Sequence, residues 1–420
     1  MFTAKKIHII GIGGVGISAL AKVLEAQGAI ISGSDLEAGG HRAENVAENT
    51  QLVIYSNAVP EDNVERAKAR RLGIKELSYP EALGEFCKSK KIIAVAGTNG
   101  KTTTTAMVGW IMQQAGLDPT VVVGSKVLDW DSNARTGKGE YVVLEADEYR
   151  RAFLNYQPDI AVITNIAADH MDYYKNLDDI KTAFFQFTQK IKPGGTLIFN
   201  VADGNTASVA EKFEGEAIGF ASAGNFRLLV PGDFNQANAQ AAAAAARVLA
   251  VPQNTIEKAL AEFSGTWRRF ERIGKLGRAQ IISDYTHHPD GIVVTLKTAN
   301  ELYGDATLAV FQPHQHNRTK KLFKEFVKAF CKSSVQDVII SEIFEVAGRE
   351  DREDQDISSR DLVREIKKCG KNAMYSRDLA ECEKKIRGIA EKYKAVVIMG
   401  AGDIYKMADQ LVADRSSLKI

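Results

Sequence analysis

The stretch Lys91–Gln114, KIIAVAGTNGKTTTTAMVGWIMQQ, narrows the choice of fold more than any other. Ile92 to Ala96 is a short apolar run suited to a buried strand, Gly97 to Gly100 is a glycine turn, and Lys101-Thr102 opens a helix. A helix N-terminus presents unpaired N–H groups and a partial positive charge, so it suits an anion. Gly97 and Gly100 let the backbone approach a phosphate closely. Lys101 can reach terminal phosphates, and the Thr102 hydroxyl can ligate Mg²⁺. Thr98, Asn99 and Thr103 complete the candidate nucleotide-binding set. The general P-loop pattern is matched incompletely, since its first glycine falls on Val95. The competing reading is an ordinary strand-turn-helix with an exposed lysine. The strand before and the helix after favour a nucleotide triphosphate site in an α/β fold.

At 420 residues the chain is too long for one ordinary domain. Its 45% hydrophobic and 25% charged residues are those of a soluble globular protein. A net charge of +1 argues against nucleic acid or an anionic membrane as the main partner. Cys87, Cys331, Cys369 and Cys382 form no CxxC pair, so no disulfide framework or zinc site is expected and a reducing cytosol fits. No apolar run reaches the length of a membrane span. The start of the chain runs straight into a short strand, unlike a signal peptide. The expected location is cytoplasmic.

Residues 1–90 open with strand KKIHII and then Gly11-Ile12-Gly13-Gly14-Val15-Gly16 before a helix. Asp35 follows a second strand. Glycines at 11, 13, 14 and 16 admit a pyrophosphate, and the acid after strand two can bind a ribose. The alternative is that these glycines only allow close strand–helix packing. An NAD-dependent oxidoreductase is therefore a rival function, although it leaves the loop at Gly97 without a task. One reading serves both loops: residues 1–90 hold a diphosphate-bearing substrate, with Ser56 and Asn57 lining its crevice, while residues 91–265 hold ATP.

In that central segment, strand EYVVLEADE ends on Glu145, Asp147 and Glu148. Carboxylates at the C-terminal end of a buried strand sit where α/β sheets keep their ligands. Glu145 is the candidate metal ligand; Asp147 and Glu148 are allowed to be simply solvated. The run DIAVITNIAADHMDYY ends in Asn165, Asp169, His170 and Asp172, and His170 can join hard oxygens around Mg²⁺ or Mn²⁺. The alanine-rich GDFNQANAQAAAAAARVLA reads as a helix. Asn235 and Asn238 share a face near its start and either cap it or contact the adenine or ribose. In residues 266–420, Arg268 and Arg269 suit a phosphate, Asp284 ends a strand before His287-His288-Pro289, and His314, Asn317 and Arg318 follow another. Those two strand ends should converge on one crevice. The run from Arg349 to Asp356 reads as a solvated loop.

Taken in order, AGTNGKTTTT, LEADE, TNIAADHMD and the paired asparagines resemble the Mur ligases of peptidoglycan synthesis. GIGGVGISALA, WRRFE, SDYTHHP and FQPHQHNRT are similar to the alanine-adding branch, and the resemblance covers essentially the whole chain. It implies three domains: a Rossmann-like N-terminal domain for a UDP-sugar (1–90), a P-loop central ATPase domain (91–265), and a Rossmann-like C-terminal domain that brings the amino acid (266–420). It also implies an ATP-dependent ligase that joins L-alanine to the carboxylate of UDP-N-acetylmuramate through an acyl phosphate. In that scheme Lys101 stabilises the transferring phosphoryl group, and Thr102, Glu145 and His170 place the metal. Asn235, Asn238, Arg269 and Asp284 join the ATP set; Gly11, Gly13, Gly14, Gly16, Asp35, Ser56, Asn57, His287, His314 and Arg318 serve the substrates. The runner-up within the family attaches a ready-made tripeptide. Asn99 stands where the alanine-adding branch usually has histidine, Ser283 replaces an expected acid, and the regions near Glu37–Arg42 and Asn205–Val230 are short for the branch. Oligomeric state is left open.

Overall fold

A computed structural model describes residues 5–171, 173–221, 225–345 and 356–413. Asp172 and most of the Arg349–Asp356 run lie outside the described residues. The fold is α/β, built on three sheets. The first orders its strands Ile30–Ser34, Lys6–Ile10, Leu52–Tyr55, Lys75–Ser78, all parallel. The second runs Glu216–Phe220, Thr196–Asn200, Ile160–Ile163, Lys91–Ala96, Tyr141–Glu145, Thr120–Val127, Ser132–Arg135; only the last pairing is antiparallel. The third runs Glu271–Leu276, Ala279–Asp284, Ala395–Met399, Thr307–Phe311, Asp337–Ser341, Asn372–Ser376, antiparallel only at its first pairing. Strands such as IIAVA and AVVIM are apolar throughout because a parallel sheet is covered on both faces.

The chain separates into two compact units, one of residues up to 267 apart from 230–232, the other of the remainder. In the first, helix Val15–Ala26 buries Ile17, Leu20, Ala21 and Leu24 at helical spacing. It packs on strands Thr120–Val127 and Ser132–Arg135 of the second sheet. There Asn133 Nδ2 donates to Val15 O and Lys22 Nζ donates to Asn133 Oδ1. The P-loop helix, Lys101–Gln114, lies against helix Asp233–Val248. Ala239 and Ala241–Ala246 are buried there, and such small side chains let the two backbones come close. The expected alanine-rich helix is thus present.

The first sheet also encloses a charge. Glu65 is fully buried, yet it accepts from His8 Nε2, Ser34 Oγ, Asn45 Nδ2 and Arg42 N at 2.6–2.9 Å. Burial pushes its pKa up, but those donors outweigh burial and hold it below the usual carboxylate range. The network pins the segment after Asp35 to the sheet.

In the second unit, the expectation of no disulfide is corrected: Cys331 and Cys369 are joined, with Cα atoms 5.8 Å apart. Helices Phe323–Lys332 and Ser359–Lys368 pack together and bring their ends into register, which linear spacing does not reveal. Burial pushes the thiols of Cys87 and Cys382 up to about 12. Among the described residues no helix is long and apolar enough to cross a membrane.

Candidate active site

The glycine turn between strand Lys91–Ala96 and helix Lys101–Gln114 needs its glycines. Gly97 has φ +136° and Gly100 φ +85°, and a Cβ on Gly97 would lie 2.0 Å from Thr164 Oγ1. Thr164 and Asn165, beyond strand Ile160–Ile163, clamp the turn through its main chain. Asn99 N donates to Asn165 Oδ1, while Asn165 Nδ2 and Thr164 Oγ1 donate to Asn99 O. The hold on residue 99 uses backbone atoms, so the turn does not depend on whether asparagine or histidine stands there.

Lys101 folds back over this turn. Its Nζ donates to Gly97 O at 2.6 Å, Thr98 O at 3.3 Å, and Glu148 Oε2 and Oε1 at 2.8 and 3.1 Å. Burial works against the ammonium, but Glu148, Asp147 and Glu145 overcome it and raise the lysine pKa. Glu148 is therefore not a solvated strand end: its side chain is 2% exposed. Next to it, Thr102 Oγ1 donates to Glu145 Oε1 at 3.0 Å, and Gly124 N donates to Glu145 Oε2 at 2.7 Å. His170 sits with the other carboxylates, Nε2 lying 3.8 Å from Glu148 Oε1. Asp147, Glu148 and His170 place ligand-capable atoms within 4.8 Å of one another. The expected trio of Thr102, Glu145 and His170 thus divides into two neighbouring donor groups. Hydroxyl, carboxylates and one imidazole fit a hard divalent cation.

Asn235 and Asn238 are buried on the helix that covers the P-loop helix. Asn238 Oδ1 accepts from Thr104 Oγ1 and would lie 2.3 Å from a Cβ on Gly100, and Asn238 Nδ2 donates to Asn235 Oδ1. Asn238 therefore backs the last glycine of the turn as well as lying near it. In the first sheet, Gly13 N donates to Asp35 Oδ2 at 2.9 Å, and a Cβ on Gly11 would lie 3.0 Å from Ser56 Cβ. Gly14 and Gly16 continue into the helix, a Cβ on Gly16 meeting Tyr79 Oη at 3.0 Å. Asn57 is exposed just beyond Ser56. Glycine loop, Asp35 and Ser56 lie together beyond the ends of three adjacent strands, with Asp35 already engaged by a loop amide.

In the second unit, Arg268 is buried and its Nη2 donates to Gly400 O and to Gly402 O. Arg269 lies over the Tyr285 ring, 5.1 Å from its centroid. Asp284 is buried and accepts from Phe270 N and Thr286 N, which shapes the strand end. His287 and His314 do come together, with ring centroids 5.9 Å apart, and Arg318 Nη1 lies 3.2 Å from His314 Nδ1. Burial, then the Arg318 charge, holds the His287 pKa down to about 3. This cluster presents a neutral imidazole near a guanidinium, suited to an amine and a carboxylate respectively.

Sequence reasoning missed Gly124 and the buried pairing of Glu148. A glycine inside the apolar strand VVVGSKV signals a close approach, and here the approaching group is Glu145. Nothing in LEADEY distinguishes a buried carboxylate from a solvated one.

Family models for the Mur ligase family catalytic domain, the Mur ligase middle domain and the Mur ligase glutamate ligase domain match residues 6–91, 95–227 and 268–402. The UDP-N-acetylmuramate–L-alanine ligase of Desulfitobacterium hafniense is 39% identical over 449 residues, covering 97% of this chain and 99% of its own. That of Caldicellulosiruptor saccharolyticus is 36% identical, covering 99% of each chain. The crystal structure of the UDP-N-acetylmuramate-alanine ligase from Thermotoga maritima superimposes with a TM-score of 0.82 at 28% identity, over 99% of this chain and 100% of its own. A folylpolyglutamate synthase/dihydrofolate synthase from Yersinia pestis, complexed with AMPPNP and Mn ion, shares the fold at TM-score 0.59 and 17% identity, over 81% of this chain and 93% of its own.

Proposed function

The chain belongs to the Mur ligase family, and from that premise we propose that it joins L-alanine to the carboxylate of UDP-N-acetylmuramate, with ATP converted to ADP and phosphate. The observation that carries this reading is the end-to-end likeness to alanine-adding ligases. Those matches give the oxidoreductase alternative no support.

The geometry supports a division of labour. The substrate carboxylate attacks the terminal phosphorus of ATP; an O–P bond forms, ADP leaves, and an acyl phosphate results. Little covalent chemistry falls to the protein in such a step, and positioned charge dominates. Lys101, at the mouth of the glycine turn, balances the charge on the transferring group. The amide-rich start of helix Lys101–Gln114 adds a second favourable field. Thr102 and Glu145 would hold a divalent cation, Mg²⁺ or Mn²⁺, with His170 and Asp147 on a second position. Such an ion, when bound, offsets negative charge on the phosphates. The L-alanine amine then attacks the acyl carbon, and phosphate departs. His287, kept neutral, and Arg318 suit the amine and carboxylate of the amino acid. Gly11, Gly13, Gly14, Ser56 and Asn57 line the crevice assigned to UDP.

The test is product formation. Incubated with ATP, Mg²⁺, UDP-N-acetylmuramate and L-alanine, the protein should yield ADP and a sugar nucleotide heavier by one alanyl residue, read by mass spectrometry. ADP formation with an unaltered sugar nucleotide would remove the proposal.

A further inference from the structure

Lys101 has two claimants. Terminal phosphates of a nucleotide would require its ammonium, yet that ammonium is engaged by both oxygens of Glu148, at 2.8 and 3.1 Å. Glu148 is no surface carboxylate that could turn to water, since its side chain is 2% exposed. Its main chain is held as well: Glu148 O accepts from Tyr174 Oη and Arg151 N. The carboxylate thus stays on an anchored backbone when the lysine moves out over the turn. The His170 Nε2 atom stands farther off, 3.8 Å from Glu148 Oε1. A buried charge that loses its partner is costly.

We propose that Glu148 is a positioning residue for the P-loop lysine, one that holds Lys101 across the glycine turn and surrenders it to the terminal phosphates of a nucleoside triphosphate. Part of the nucleotide's binding energy then goes into separating this pair. Nucleotide affinity is lower than the loop alone would give, and the lysine moves only for a ligand with enough negative charge to outbid a carboxylate. A diphosphate, with less charge at that point, competes less well for the ammonium. The inference rests on the ATP-dependent reading above and adds a selectivity element to it.

The experiment is titration calorimetry of the full chain with a non-hydrolysable ATP analogue and Mg²⁺, for the wild type, Glu148→Gln and Glu148→Asp. Glu148→Gln should bind the analogue at least about tenfold more tightly, a shift of roughly 1.4 kcal/mol. Its KM for ATP should fall while kcat does not rise, because the lysine is less well aimed. Glu148→Asp keeps the charge and should return affinity toward the wild-type value. A residue that mattered only to the fold would lower stability without tightening nucleotide binding. Equal or weaker binding by Glu148→Gln overturns the inference. If the wild type binds no analogue at all, the ATP reading itself falls, and this inference with it. Should Glu148→Gln not fold, the wild-type complex decides. Lys101 Nζ bonded to phosphate and more than about 4 Å from Glu148 supports the exchange; Nζ still bonded to Glu148 overturns it.

Discussion

Replacing Gly124 with alanine should disable the site while sparing the fold. Gly124 N donates to Glu145 Oε2 at 2.7 Å, and an added Cβ would lie 2.6 Å from that oxygen and 3.0 Å from Cδ. Non-bonded atoms settle at about 3.5–4.0 Å, so the carboxylate must retreat by roughly 1 Å. The retreat breaks a hydrogen bond to a charged group, worth about 1.5–3 kcal/mol. It also pulls Oε1 away from Thr102, 3.0 Å distant. Misplacing a group by ~1 Å at a reacting centre costs about 10²-fold. Against this, the backbone of Gly124 lies outside the left-handed region. Alanine there gains about 0.4–1 kcal/mol from a stiffer unfolded chain. Thermal unfolding should therefore shift by only a few degrees, about what ~1 kcal/mol produces. Phosphate release measured across a Mg²⁺ series should show kcat lower by about a hundredfold and a higher Mg²⁺ requirement. Combined with Glu145→Gln, the loss should be less than additive. Near-normal turnover with an unchanged metal requirement would refute the reasoning, as would a loss explained wholly by unfolding.

Lys101→Ala leaves buried Glu148 without its lysine and should cost about 3–5 kcal/mol of stability, while the folded fraction loses on the order of a hundredfold or more in rate; a folded variant with near-normal ATP turnover would contradict the P-loop assignment. Glu65→Ala strips the acceptor from His8, Ser34, Asn45 and Arg42 N, and should cost about 3–5 kcal/mol in urea unfolding. A loss below about 1 kcal/mol would mean that the network is incidental. His287 contributes to acid sensitivity. Its folded pKa of about 3 lies below the ordinary histidine value of 6.5, so between those values the unfolded chain binds the proton and the folded chain does not. Stability attributable to His287 is therefore full above that window and falls as pH drops through it. His287→Gln should flatten this part of the stability profile, and an unchanged slope would show that the imidazole titrates normally.

Much of the site was legible in the sequence because it depends on local chemistry. The glycine turn, Lys101 and Thr102 lie within six residues, and strand-end acids announce themselves where apolar runs stop. What stayed hidden depends on which strands become neighbours. Strands Thr120–Val127 and Tyr141–Glu145 pair, and that pairing sets Gly124 against Glu145. The 3₁₀ segment Tyr149–Asn155 and the packing of Tyr174 bury Glu148, which the sequence leaves looking like any acid at a strand end. Arg268 and Arg269 are alike in sequence and both lie over the Tyr285 ring, yet Arg268 also donates to Gly400 O and Gly402 O. Cys331 and Cys369 meet only because two helices end side by side.

The central claim is tested most directly by phosphate release from ATP with UDP-N-acetylmuramate across a panel of acceptors. L-Alanine should give the highest kcat/KM. Glycine and L-serine should follow at reduced efficiency, since a methyl-sized difference is worth only about 1–3 kcal/mol, and D-amino acids should be rejected. Asn99→His should leave that ranking unchanged, because the turn holds residue 99 through its backbone. Preference for D-glutamate or for the murein tripeptide, or release that needs no amino acid at all, would contradict the account.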